Sequence, residues 1–255
     1  MKSSVLKLLQ LLGGMGTLVG QVVRELCRKP FYGDLFTDQL YQIGIRSGPL
    51  VFITAASTGM VMALQFGLGL EKFGGKLYVP KIVSLSIVRE MGPVFTCLML
   101  AARIGAGITS ELGSMTVTQQ IDAIRALGTS PIKKIVIPRV LAAFVGIPLL
   151  TAVANCIGVL GGLIIGVNEL RLDPQFYFQK VVDTLMLHDY FAGFCKTPVF
   201  ALFIAFTACY YGLTVKGGTQ GVGNATTKSV VTSSIFILIG DFFLTKIFWV
   251  IERWL

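Results

Sequence analysis

Apolar positions in this chain run together in long blocks instead of alternating. Residues 47–70 and 140–168 carry no charged side chain, and each block is long enough to cross about 30 Å of hydrocarbon as a helix. Residues 197–215 form a third, barely sufficient block. Two more contain charges: 82–108 is interrupted by Arg89, Glu90 and Arg103, and 229–251 by Asp241 and Lys246. The pattern predicts an all-α integral membrane protein with five transmembrane helices, over 45–70, 82–108, 140–168, 192–215 and 229–251. Continuous runs exclude a β-barrel, whose strands would alternate. Ahead of them, Val5, Leu8, Leu9, Leu12 and Met15 recur at helical spacing, broken by Lys7, Gln10 and the Gly13-Gly14 pair. That moderate apolarity over 1–30 fits an amphipathic interfacial helix better than a sixth span. It lacks a small-residue cleavage site, and an Arg- and Ser-rich transit segment is missing, which favours a bacterial protein.

Between the second and third spans lies a charge-bearing segment over 116–128. Thr116 and Gln119 have capping-box spacing, so a helix is expected to begin there, with Gly128 as its stop and Pro131 preventing continuation. Val117, Ile121, Ile124 and Leu127 would share one face, with Asp122 and Arg125 pointing elsewhere. A short helix on the membrane surface is what a membrane domain needs to dock a soluble partner; an ordinary solvated loop helix would carry the same pattern.

Composition agrees: 54% of the 255 residues are hydrophobic, 14% are charged, and the mean hydropathy is +0.76. Basic residues set the orientation. With the N-terminus in the cytoplasm, Lys2, Lys7, Arg24, Arg28, Lys29, Arg46, Arg125, Lys133, Lys134, Arg139, Lys216 and Lys228 fall inside. Only Lys72, Lys76, Lys81, Arg171, Lys180 and Arg253 fall outside. The net charge of +9 therefore reads as membrane orientation and contact with anionic headgroups, not as nucleic-acid binding. Cys27, Cys97, Cys156, Cys195 and Cys209 sit mostly in apolar context without metal-ligand spacing and read as small buried hydrophobes.

Catalytic chemistry is hard to assemble. The nearest approach to a nucleotide-binding P-loop, Gly74-Gly75-Lys76-Leu77, has Leu70 at the first glycine position and no hydroxyl after the lysine. The single histidine, His188, reads as a solvated or interfacial residue with no second metal ligand. No catalytic residue, metal site or cofactor is expected in this chain; any ATP and Mg would be bound by a partner ATPase. Charges inside the spans carry the second signal, since they face cavities or one another. At about 1.5 Å per residue, Arg89, Glu90, Lys196, Asp241 and Lys246 reach a similar depth, three basic against two acidic. They line an outward-open polar chamber able to receive an anionic headgroup, with Lys196–Asp241 as its ion pair; the alternative is that they staple helices or snorkel. Gly158, Gly162 and Gly166 form a small-xxx-small stripe, for packing within the subunit or across a two-fold dimer.

The run Arg89-Glu90-Met91-Gly92-Pro93 resembles the MlaE/YrbE permease family. So do Glu111-Leu-Gly-Ser-Met, the 120–128 block with Pro131, Pro138-Arg139, the 225–234 segment and the run from Asp241. The resemblance covers most of the chain, read as one permease domain over 1–255. It implies an ABC-transporter permease working as a homodimer with a cytoplasmic ABC ATPase and a periplasmic MCE-domain protein. Such permeases move phospholipid between the inner membrane and that carrier to maintain outer-membrane lipid asymmetry. Carried over by position, Glu111, Gln119, Asp122, Arg125 and Leu127 would belong to a coupling helix against the ATPase. Met62, Leu70, Phe73 and Met91 would line the apolar lipid cavity beside Arg89, Glu90, Lys196 and Asp241. An ion-coupled secondary transporter and a non-transporting scaffold for a periplasmic protein are the alternatives.

Overall fold

A computed structural model describes the backbone of residues 2–26 and 32–254, with side chains from residue 9 onward in those ranges. Arg28, Lys29 and Cys27 lie outside the described residues, as do the Lys2 and Lys7 side chains. Every regular element among the described residues is helical. In chain order they are α1 (Lys2–Leu26), α2 (Gly33–Ile43), α3 (Gly48–Glu71), α4 (Val79–Ser86), α5 (Gly92–Leu100), α6 (Ala106–Val117), α7 (Gln120–Ala126), α8 (Ile137–Asn168), α9 (Pro174–Thr184), α10 (Leu187–Leu213) and α11 (Gly218–Trp254).

Among the described residues, five helical segments are long and apolar enough to cross a membrane: Gly33–Glu71, Lys76–Val117, Ile132–Asn168, Leu187–Leu213 and Gly218–Trp254. Four of them contain an expected span and run past it at one or both ends; Leu187–Leu213 starts ahead of 192–215 and stops two residues short of its end. α1 is not among the five. Its Leu18 and Val22 are buried, while Leu9 and Leu12, two of the residues whose helical spacing predicts its apolar face, are exposed.

The chain forms two compact units. Unit 1 takes residues 1–45, 100–146 and 201–236, and unit 2 takes 46–99, 147–200 and 237–255; α8, α10 and α11 contribute residues to both. In unit 1, α6 is tied to α10 by threonine hydroxyls: Thr109 Oγ1 donates to Ala208 O at 3.2 Å and Thr116 Oγ1 to Gly212 O at 3.0 Å. In unit 2, small residues bring backbones together. A Cβ on Gly59 of α3 would run into the Gly158 carbonyl of α8, so only glycine fits that crossing. Gly162 and Gly166 lie against the ring of Tyr177 from α9, which puts the glycine stripe to use within the subunit. Tyr177 is buried with Val79, Val83 and Val181, and burial pushes its phenol pKa up to about 12.

Among the described residues, three five-residue π-turns interrupt the helices, at Ile87–Met91, Ala101–Gly105 and Ile132–Val136. Such an extra residue in a turn shifts the face that following side chains occupy, and it frequently marks functional sites. Of the cysteines, Cys97 and Cys209 are buried as expected. Cys156 and Cys195 are instead exposed, because their positions face outward on spans whose surroundings are apolar.

Candidate functional site

Unit 2 gathers a cluster of buried and half-buried charges. The π-turn Ile87–Met91 presents Arg89 and Glu90 toward α10, and α10 can come close because of Gly193. A Cβ at that position would run into the Val88 carbonyl oxygen, so glycine permits the contact that places Lys196 one turn further along. The Lys196 ammonium then donates to Glu90 Oε2 at 2.7 Å, Thr245 Oγ1 at 2.7 Å, Asp241 Oδ1 at 3.0 Å and the Arg89 carbonyl at 3.3 Å. Thr245 Oγ1 donates in turn to Glu90 Oε1 at 3.1 Å. The Lys196 side chain is 2% exposed, against 32% for Glu90 and 21% for Asp241. A lysine so enclosed stays in place only because carboxylates compensate its desolvation.

A second constellation adjoins it through Arg89. The guanidinium meets Glu252 Oε2 at 2.7 Å and Asp189 Oδ1 at 3.4 Å, joining the end of α11 to the start of α10. His188 Nε2 lies 3.1 Å from Glu252 Oε1 and 3.4 Å from Asp189 Oδ1. His188, expected as a solvated or interfacial residue, is half-exposed at the start of α10 and also faces two carboxylates. The set of charges also differs from the one expected. Lys246 points outward, while Asp189 and Glu252 join, leaving Lys196 and Arg89 among four carboxylates.

These groups edge a cavity of about 610 Å³ lined by Arg89, Glu90, Lys196, Thr245, Phe248, Trp249, Glu252 and Arg253, with Leu85 and Ala192. Its walls are aromatic and aliphatic and its floor is ionic, a combination that accepts a polar group carried on an apolar body. Of the residues assigned to a lipid wall, Met62 and Leu70 pack on the Tyr177 cluster. Phe73 is 86% exposed in the turn after α3, and Met91 lines a separate narrow cleft with Thr58 and Phe95. Within one chain the structure does not bring these four to the ionic cavity.

Sequence reasoning missed Asp189, Thr245, Glu252 and Gly193. Asp241, Thr245 and Glu252 fall four and seven residues apart, on one face of α11, and that spacing was the available signal.

The second candidate region is in unit 1. The helix after α6 runs over Gln120–Ala126, not 116–128. Thr116 does not cap it, because it lies inside α6, where its hydroxyl donates to Leu112 O and to Gly212 O of α10. The chain turns instead at Gln119, which takes a left-handed conformation with φ 58°. Gly128 closes the helix at φ 74°, as expected, its N–H donating to Arg125 O at 2.9 Å. The expected single apolar face is split: Ile121 is buried, Ile124 half-buried, and Leu127 82% exposed. Glu111 belongs to α6, where its carboxylate meets Arg139 Nη2 at 2.7 Å; Arg139 Nη1 also donates to Ile135 O at 2.8 Å. Asp122 and Arg125 form an exposed pair at 3.2 Å.

Comparison with known proteins covers both regions. Residues 36–247 match the family model described as Permease MlaE. A probable ABC transporter permease protein of Rickettsia felis is 39% identical over 95% of this chain and 94% of its own length. The intermembrane phospholipid transport system permease protein MlaE of Haemophilus influenzae is 30% identical over 91% of this chain and 87% of its own. The chloroplastic protein trigalactosyldiacylglycerol 1 of Arabidopsis thaliana is 29% identical over 91% of this chain and 66% of its own length.

Proposed function

The chain belongs to the MlaE permease family, and from that premise we propose that it is the membrane subunit of an ATP-driven transporter that carries phospholipid. The lipid would pass between the bacterial inner membrane and a periplasmic MCE-domain carrier, in the service of outer-membrane lipid asymmetry. What carries the reading is the ionic cavity of unit 2: a buried ammonium and a part-exposed guanidinium, each paired with carboxylates, under apolar walls suit a zwitterionic headgroup with its acyl chains. The names of the Rickettsia and Haemophilus relatives support it, the first through ABC transport and the second through phospholipid.

In this reading the N-terminus is cytoplasmic, following the basic residues. The segment with α7 then faces an ABC ATPase, which binds the ATP and Mg, while the cavity faces the periplasm. The chain acts as a homodimer, and a second copy completes the apolar wall to which Phe73 and Met91 contribute. ATP binding closes the ATPase pair and pushes α7 and the Glu111 end of α6. The spans rearrange, and the cavity alternately accepts and expels lipid.

Purification of the full chain from its native membrane in mild detergent tests this. An ABC ATPase, an MCE-domain protein and bound phospholipid are the expected companions. Transport that follows an ion gradient without an ATPase would replace the reading with a secondary transporter. A complex that contains no lipid and tolerates loss of Lys196 would replace it with a scaffold.

A further inference from the structure

Unit 2 holds a second cavity, of about 720 Å³, to which the lipid-permease reading assigns no role. Leu77, Tyr78 and Lys81 line it on the side of α4, Phe176, Lys180 and Asp183 on α9, and Met186, His188 and Asp189 at the start of α10, with Asp189 already turned to Arg89 and His188; Arg89 and Leu85 are shared with the ionic cavity. The two cavities differ in which cations are already committed. In the first, Lys196 spends its protons on four acceptors and Arg89 is held by two carboxylates; Arg253 lies 5.5 Å over the Trp249 ring. In the second, Lys81 and Lys180 are both exposed and, among the described residues, neither is paired with a carboxylate; Lys180 rests 5.8 Å from the Phe176 ring. Two uncommitted ammoniums on different helices, with Leu77, Leu85, Phe176 and Met186 around them, form an amphipathic anion receptor. Asp183 can accept a hydrogen bond from a ligand hydroxyl.

We propose that this cavity is a peripheral binding site for a phosphate-bearing anion, supplied by a phospholipid headgroup whose glycerol and upper acyl carbons rest on the apolar walls. The choice of ligand rests on the lipid-permease reading, whereas the site rests on Lys81 and Lys180. Arg89 is common to both cavities, so a headgroup held here is one guanidinium away from the Lys196 cluster. The site is thus placed to hold lipid just before it enters, or just after it leaves, the ionic cavity.

The test is isothermal titration of dihexanoyl-phosphatidylglycerol into the intact complex in a neutral maltoside detergent. The wild type should bind saturably. K81E/K180E should weaken binding about tenfold or more, and K81Q/K180Q should fall between. Both lysines are exposed, so neither substitution disturbs packing. Competition identifies the source of the phosphate. If inorganic phosphate displaces the lipid at equal concentration, the site takes free phosphate; if it does not, the apolar walls contribute and the ligand is the lipid. An isotherm unchanged in K81E/K180E overturns the site while leaving the transport reading intact. Lysine-dependent binding in a complex that moves no lipid strikes the transport reading alone.

Discussion

Lys196 in unit 2 and Arg139 in unit 1 are both buried cations with carboxylate partners, yet they are built for different ends. The Arg139 side chain is 8% exposed and reaches a single carboxylate, Glu111, which is 49% exposed. Lys196 is 2% exposed and reaches two carboxylates that are themselves mostly covered. Arginine offers a planar fork that fixes direction, so Arg139 clips α6 to the Ile135 carbonyl of the π-turn before α8. Lysine is a compact point charge, so Lys196 collects acceptors from the π-turn Ile87–Met91 and from α11 around one atom. The first arrangement is a clip whose anion can return to water. The second is a knot whose anions cannot.

The difference is sharpest if the cations are removed. Lys196→Met should leave Glu90 and Asp241 facing each other without a countercharge, at a cost of about 3 kcal/mol or more. Thermal unfolding of the purified chain in detergent should show a larger drop for it than for a single substitution at Gly193, Arg139 or α7. Adding Glu90→Gln and Asp241→Asn to that variant should restore most of the loss, since the stranded charges go with it. A triple variant no more stable than Lys196→Met would mean that packing, not charge, holds the knot. Gly193→Ala attacks the same knot through the backbone. The added methyl must push α10 from the Val88 carbonyl, and overpacking of this kind costs about 1–3 kcal/mol. The variant's unfolding temperature should fall, by less than that of Lys196→Met.

These two regions were unequally legible in the chain. The five spans announce themselves because each is a long apolar block, and burial in lipid demands little more than that. Arg89, Glu90, Lys196 and Asp241 stand out for the opposite reason, as charges where hydrocarbon tolerates few. Their partners did not stand out. Asp189, His188 and Glu252 lie at span ends, where charge is ordinary, and only the folded chain brings α10 and α11 together there. In unit 1 the capping-box spacing of Thr116 and Gln119 pointed to a helix start. A local motif cannot register that α6 runs on through Thr116, whose hydroxyl donates to Gly212, nearly a hundred positions away. Gly128 was legible, because a helix stop is a local matter.

Arg139→Met tests the clip. Glu111 is half-exposed and rehydrates, so the cost should be about 1–2 kcal/mol, clearly smaller than for Lys196→Met. The retained side-chain bulk keeps the packing comparable. Hydrogen exchange should report the loss locally, as faster exchange at the Ile132–Val136 turn. A destabilisation equal to that of Lys196→Met would erase the distinction between clip and knot.

The smallest effect on stability is expected at the exposed end of unit 1, where any effect on function should show most cleanly. The side chains of Asp122 and Arg125 are 69% and 64% exposed, and their ion pair lies one turn apart on α7. Such a pair contributes within about 0.5 kcal/mol, so Asp122→Arg or Arg125→Glu should leave the unfolding temperature almost unchanged. Leu127→Ser should behave alike, since the leucine is 82% exposed and its removal empties no core. Under the proposed function these residues contact the ATPase, so the same three variants should lose ATPase content in pull-downs and lipid transport with it. Lys196→Met makes the opposite pairing, a less stable chain that still retains its ATPase. If the α7 variants unfold normally and also keep a full complement of active ATPase, α7 is an ordinary surface helix, and the docking surface must be sought elsewhere in unit 1.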